Sequence, residues 1–186
     1  RSVFHEGDDR IIGSTDKHRW CYAASKAIDE FLALAYWHEK RHPVVVVRLF
    51  NTVGPRQTGR YGMVIPTFVR QALLGEPLTV FGDGKQSRCF AHVRDVVPAL
   101  MGLMGTDAVN GQVYNIGSNH PVTMEELALR VIARTGSASS IRFVPYEQAF
   151  GPGYEDMRHR EPSLEKIHAA IGYQPAIGLD EILDTV

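Results

Sequence analysis

The chain has 186 residues, 44% hydrophobic and 22% charged, enough for one core with room for a second lobe. Twenty basic side chains face twenty-one acidic ones, a formal charge of -1, so neither a field for nucleic acid nor a polybasic membrane handle is present. No run approaches the ~18 apolar residues that span a bilayer, the opening RSVFHEGDDR has no apolar signal-peptide core, and Cys21 and Cys89 lack CxxC spacing. The expectation is a cytoplasmic protein with reduced thiols.

Residues 1–18 are polar and aperiodic and read as loop. From Trp20 to Lys40, apolar Ala24, Ala27, Ile28, Phe31, Leu32, Leu34 and Ala35 recur at helical spacing, and His42–Pro43 ends the pattern. Val44–Val47 is a β-branched run, apolar on both faces, as expected of a parallel strand covered on both sides by helices. Residues 51–62 read as loop, and Pro66 opens a helix that stops at Gly75. Leu78–Phe81 is a strand, GDGK a turn, and Arg88–His92 extended. Asp95 is a candidate cap for a helix running to Met104.

Gln112–Ile116 reads as a strand. Thr123 and Glu126 form a capping box for a helix over Met124–Arg134, and Ile141–Val144 is another strand. Tyr146–His159 reads as loop, Ser163 caps a helix to Ile171, and a last helix covers Asp180–Leu183. Alternating helices and short strands make the class α/β. One feature stands out: a parallel neighbour for Val44–Val47 needs a strand and a long crossover, and the 43 residues before it offer mostly loop and one helix. The chain therefore reads as the back part of a sheet.

Within the first helix, Tyr22 and Lys26 stand one turn apart on one face. A free tyrosine titrates near pH 10; a nearby cation favours the phenolate and makes it a usable base toward a sugar hydroxyl. The same spacing equally serves a packed tyrosine beside a snorkelling lysine, so the pair alone assigns no chemistry. His38 and His42 share i,i+4 spacing but lack a third ligand, so no metal site is expected. Cys21 reads as a packing thiol, and no GxSxG elbow accompanies the serines.

In chain order, WCYAASKAIDE, VVVVRLFNTVGPR, LTVFGDGKQSRCFAHVRDVV and YNIGS resemble the C-terminal half of the extended short-chain dehydrogenase/reductase family. These are the NAD-dependent nucleotide-sugar epimerases, dehydratases and decarboxylases, and the resemblance covers essentially the whole chain. It implies that Tyr22 is the catalytic base and Lys26 its partner, both touching NAD. It also implies that Asn51 faces the substrate diphosphate or sugar and that Arg88 binds the diphosphate, a role suited to a guanidinium fork. The tail YEDMRHREPSLEKIHAAIGYQP resembles bacterial UDP-glucuronic acid decarboxylases. There the resemblance makes Tyr154 a nucleotide-contacting aromatic and Arg160 a catalytic and binding cation on the substrate carboxylate side. A UDP-hexuronate 4-epimerase wants a similar cation, and Arg158 and Arg160 also fit a solvated charge run.

The resemblance further implies a UDP-sugar substrate, a 4-keto intermediate and a homodimer joined by a helix pair that includes the Tyr22 helix. The expected fold is the C-terminal part of a Rossmann-like doubly wound parallel sheet plus a small α/β substrate lobe, without the N-terminal dinucleotide-binding strands. Residues 1–60 are the expected remnant of the Rossmann-like domain. Residues 61–186 are mainly the nucleotide-sugar lobe, with some segments returning to the sheet. No GxxGxxG turn occurs in the chain, GDGK is not a phosphate loop, and about 110–120 preceding residues of a whole enzyme are expected to be missing. The isolated chain is expected to be inactive and to bind NAD poorly. A non-catalytic nucleotide-sugar-binding remnant stands as the alternative.

Overall fold

The structure is a computed structural model that describes residues 3–17, 19–59, 62–151, 154 and 156–186. Parts of the expected loops, at residues 1, 2, 18, 60, 61, 152, 153 and 155, lie outside the described residues. The elements run β1 (Val3–Phe4), α1 (Arg19–Lys40), β2 (Val45–Leu49), β3 (Thr52–Val53), α2 (Val64–Leu73), β4 (Leu78–Phe81), β5 (Ser87–Cys89) and β6 (Ala91–His92). They continue with α3 (Val93–Met104), β7 (Gln112–Ile116), β8 (Pro121–Thr123), α4 (Met124–Thr135), β9 (Ile141–Val144), α5 (Tyr146–Phe150), β10 (His159–Pro162), α6 (Glu165–Ile171) and α7 (Leu179–Thr185).

Every strand pair is parallel except β5 with β8. One sheet has the order β1-β10-β5-β8; the other pairs are β2 with β7, β3 with β6, and β4 with β9. Such pairing forces each return through a crossover, and at least one helix lies between the two strands of every parallel pair. Buried side chains form two clusters. One joins α2, β4, α4 and α7 through Ile65, Phe68, Leu78, Leu127 and Ile182. The other joins α3, β7 and α6 through Val96, Leu103, Tyr114, Ile116 and Ile167, with Val45 and Val47 against it.

Local chemistry explains the helix ends. Thr123 Oγ1 accepts the Glu126 N–H at 3.1 Å, and α4 closes on Gly136 at φ 62°, a left-handed position that suits glycine. In α3 the cap is His92, whose Nδ1 accepts the Arg94 N–H at 3.0 Å, rather than Asp95. The Asp95 carboxylate instead accepts the N–H groups of Ala176 and Ile177, tying the C-terminal segment to α3. α2 starts at Val64, so Pro66 sits inside the first turn, where an N–H has no helical partner to lose.

Further expectations need correction. The segment 1–18 contains β1, 51–62 contains β3, paired with β6, and 146–159 contains α5 and the start of β10. These pieces are too short to carry a period; their strands exist because β10 supplies the pairing partner of both β1 and β5. Val45–Val47 are only half-buried and Leu49 is exposed, because among the described residues β2 pairs with β7 alone. The expected cover on both faces is therefore incomplete.

A polar network fastens α1 to this frame. Arg48 on β2 donates from Nε and Nη2 to the two Glu30 carboxylate oxygens, both at 2.9 Å, and from Nη1 to the Glu6 carbonyl at 3.2 Å. Arg10 also pairs with Glu30. Burial raises the Glu30 pKa, but the hydrogen bonds and charges of Arg48 and Arg10 outweigh it and hold the carboxyl below its usual range. At the far end of α1, Trp37 lies on Gly111, where an added Cβ would come within 2.0 Å of the indole. Glu30→Gln is expected to lower stability by about 2 kcal/mol, read by urea unfolding, because two guanidinium groups lose a charged partner.

Two buried acids set the alkaline limit of the fold. Burial, then Glu161, pushes the Cys89 thiol up to about 12. Burial, then Asp95, pushes Tyr173, whose hydroxyl donates to the Gly117 carbonyl at 2.8 Å, up to about 12. Both folded values lie above the ordinary 9.0 and 10.0, so the native state binds more protons than the unfolded one in that range. Stability should be complete below about pH 9 and fall as pH rises toward 12. A urea midpoint unchanged between pH 8 and pH 11 would contradict this.

Candidate active site

The chain between β2 and α2, together with β4, β5 and α5, frames a cleft of about 420 Å³. Asn51 enters it from the end of β2 in the left-handed region at φ 40°. Its Nδ2 donates to the Cys89 carbonyl at 2.8 Å, and its own carbonyl accepts the Ala91 N–H. The residue thus joins the end of β2 to the end of β5 by its side chain and to the start of β6 by its backbone.

Arg88 on β5 donates to its neighbour Ser87 O and to Asp156 Oδ2, each at 2.7 Å. The side chains of Arg88 and Asp156 are 14% and 24% exposed, a shielded charge-assisted contact. Arg160 on β10 is the register partner of Arg88, so both side chains leave the sheet on one face. Arg160 stacks over Phe50, with its guanidinium carbon 5.2 Å from the ring centroid. Burial first, and the Arg88 charge second, lower its pKa, while Asp156 and Tyr22 act in the opposite sense. No carboxylate among the described residues forms an ion pair with Arg160. Two cations thus stand on neighbouring strands of one face, Arg88 paired with Asp156 and Arg160 stacked on Phe50.

Aromatic rings form the opposite wall. Phe150 of α5 stacks on Tyr154 at 4.4 Å, Tyr146 lies 5.4 Å from Tyr154, and Phe81 meets Phe150 edge-on at 4.9 Å. Tyr146 also donates to Asp156 Oδ2 at 3.4 Å; burial, then Asp156, pushes it up to about 12. The turn after β4 permits this wall. Gly82 has φ +70°, and a Cβ there would approach the Tyr146 ring to 2.5 Å.

Tyr22 and Lys26 lie outside the cleft lining, on the open face of α1, where Tyr22 is 72% exposed. The Lys26 ammonium sits 2.8 Å from Asp29 Oδ2 and 6.0 Å from the Tyr22 ring centroid. The hydrogen bond to Asp29, then its charge, raises the Lys26 pKa. The structure therefore gathers Asn51, Arg88 and Tyr154 in one cleft with Arg160 beside it. It leaves Tyr22 coupled to that group through the charge of Arg160. Sequence reasoning missed Asp29, Tyr146, Phe150 and Asp156. Asp29 was readable at three residues from Lys26, whereas the others become neighbours only through β10 and α5.

Among the described residues there is no glycine-rich strand–turn–helix for the diphosphate. No described helix is long and apolar enough to cross a membrane, and no described cluster of His, Cys, Asp or Glu could hold a metal ion.

Residues 3–117 match the family model described as NAD dependent epimerase/dehydratase family. A UDP-N-acetyl-alpha-D-glucosaminuronate decarboxylase of Bacillus cytotoxicus is 41% identical over 96% of this chain and 55% of its own length. UDP-glucuronic acid decarboxylase 1 of Danio rerio is 35% identical over 89% of this chain and 38% of its own. The chain thus spans about half or less of the curated relatives it matches. The solved structure of MoeE5 in complex with UDP-glucuronic acid and NAD superposes with a TM-score of 0.84 at 29% identity, covering 100% of this chain and 58% of that one. A Bacillus anthracis dTDP-glucose 4,6-dehydratase in complex with NAD gives 0.83 at 28%, covering 100% and 55%. Motif order, parallel topology and the family match together show that this chain belongs to the NAD-dependent epimerase/dehydratase family.

Proposed function

We propose that this chain carries the substrate half of an enzyme acting on a UDP-hexuronate through a 4-keto sugar, as a decarboxylase or a 4-epimerase. The carrying observation is the pair Arg88 and Arg160, register partners on one face of the sheet beside an aromatic-walled cleft. A nucleotide sugar acid has two anionic centres, a diphosphate and a carboxylate, and two guanidiniums on neighbouring strands offer one cation to each. Both decarboxylases named above act on UDP sugar acids and MoeE5 is bound to UDP-glucuronic acid, which supports the choice.

In this reading Arg88 takes the diphosphate, exchanging Asp156 for phosphate oxygens, and Tyr154 lies along the nucleoside. Asn51 holds the loop that faces the sugar. Arg160 neutralises the hexuronate carboxylate and orients it. Tyr22 removes the proton from the sugar 4-hydroxyl, and Lys26 stabilises the phenolate once its ammonium turns from Asp29. NAD, held at its nicotinamide ribose by Tyr22 and Lys26, supplies hydride acceptance and return. A 4-keto group β to the carboxylate stabilises the electrons left by departing carbon dioxide. Rotation of the same ketone before reduction gives epimerisation instead. Residues 1–60 then serve the Rossmann-like part and 61–186 mainly the sugar lobe. The protein works as a dimer in the cytoplasm.

A non-catalytic nucleotide-sugar-binding module is the second reading, since the cleft with Arg88 and its aromatic rings would serve binding alone as well. Incubation of the full-length protein that carries this chain with NAD and UDP-glucuronate separates the cases, since the isolated chain is expected to be inactive under either reading. Carbon dioxide with a UDP-pentose marks a decarboxylase, and UDP-galacturonate marks a 4-epimerase. Retained UDP-sugar binding without NAD-dependent turnover marks the binding module. If the protein turns over, Tyr22→Phe should cost at least about 100-fold in kcat while UDP-glucuronate still binds; unchanged turnover removes Tyr22 from the chemistry. Arg160→Met should weaken UDP-glucuronate by at least about tenfold and leave UDP-glucose nearly unaffected in calorimetric titration. Equal effects on both sugars would return Arg160 to the surface charge run.

A further inference from the structure

Tyr22, Lys26 and Asp29 stand at positions i, i+4 and i+7 of α1, the spacing that lines side chains along one face of a helix. The Lys26 ammonium donates to Asp29 Oδ2 at 2.8 Å and lies 6.0 Å from the Tyr22 ring centroid. The row is open, with the Lys26 and Asp29 side chains 54% and 61% exposed. The charges around it come from two elements. On α1, Glu30 is taken by Arg48 and Arg10, so Asp29 is the carboxylate that meets Lys26. From β10, the Arg160 charge bears on Tyr22, while Arg160 stacks on Phe50 and forms no ion pair among the described residues.

A cation beside a phenol favours the phenolate, and a carboxylate beside that cation takes part of the effect away. Asp29 does so in two ways. It anchors the ammonium at its own oxygen, with the Tyr22 ring further off. It also adds a negative charge seven residues from Tyr22, about 10 Å along the helix axis. At that separation in water, one charge changes a proton equilibrium by about a factor of two. Both effects keep the proton on Tyr22. The hydrogen bond to Asp29, then its charge, raises the Lys26 pKa, so the anchored group stays a cation. Water screens this exposed pair, and the ammonium therefore changes partner at small cost. Asp29 is an anchor that lets go.

Resting on the roles given to Tyr22 and Lys26 in the UDP-sugar reading above, we propose that Asp29 is a positioning residue for that pair. It holds the Lys26 ammonium between turnovers and sets the pH at which Tyr22 becomes a base. Asp29 touches neither sugar nor cofactor in this role and acts through Lys26 and through its field on the phenol.

Two measurements on the full-length protein that carries this chain test it, both at low ionic strength, since salt at about 0.1 M already screens charges about 10 Å apart. The first follows the isotope-labelled ring signal of Tyr22 by NMR against pH, with Tyr22→Phe to assign it and a thermal melt to check that each variant folds. Asp29→Asn should move the Tyr22 titration to lower pH, and Asp29→Glu, which keeps the carboxylate, should restore it. The second is the kcat–pH profile with NAD and UDP-glucuronate. On its acid limb Asp29→Asn should turn over at least about twofold faster than the unaltered protein, with Asp29→Glu close to the latter. A Tyr22 signal that titrates alike in the unaltered protein and in Asp29→Asn overturns the inference while the UDP-sugar reading stands. An equal shift in Asp29→Glu overturns it in the same way. A moved signal with an unmoved acid limb overturns it and takes Tyr22 out of the base role. Absence of turnover overturns the catalytic reading and this inference with it.

Discussion

The contact between Arg48 and Glu30 is the constraint on which the rest of the structure hangs. It joins the middle of α1 to β2 with two parallel hydrogen bonds, and its guanidinium also reaches the Glu6 carbonyl. From there the network continues inward. Glu6 Oε1 accepts the Asn115 N–H at 2.9 Å, and the Asn115 amide, 1% exposed, donates to the carbonyls of Phe4 and Ser163. Segments distant in sequence, at residues 4–6, 30, 48, 115 and 163, thereby share one set of polar contacts. Buried polar groups must find such partners, and few alternative arrangements would satisfy them all. The network fixes where β1, β2, β7 and α1 lie relative to one another, and hence where Tyr22, two turns before Glu30, faces.

The cleft uses the opposite logic. Its groups are incompletely satisfied by the protein itself: Arg160 has an aromatic face and no anion, and Arg88 is balanced by a single carboxylate. A stabilising network leaves nothing for a ligand to do, whereas a site holds charge and hydrogen-bonding capacity in reserve. Lys26 is a third case, since Asp29 occupies it at an exposed position where water screens the pair and exchange of partner costs little.

Several parts were legible in the chain alone because their cause is local. The 3.6-residue period gave α1, the β-branched run gave β2, and Thr123 with Glu126 marked the start of α4. The Tyr22–Lys26 pair followed from helix geometry. What escaped had non-local causes. β1 and β10 are strands of two and four residues that exist through pairing, and α5 is one turn held by Phe81 and Tyr154. Asp95 looked like a cap and turned out to anchor Ala176 and Ile177, because His92 reached the open N–H first.

Residue type and spacing by themselves determined the α/β class, the helix carrying Tyr22 and Lys26, and the arginines available for an anion. Only the tertiary structure decided that Arg88 and Arg160 stand side by side, since that depends on β10 pairing with β5 across about seventy residues of chain. It alone decided that Asp156 reaches Arg88 across sixty-eight residues of chain. The physical reason is the same in each case. Periodicity and capping are short-range, whereas charge pairing and hydrogen-bond satisfaction depend on which distant segments the fold brings within 3 Å or so of each other.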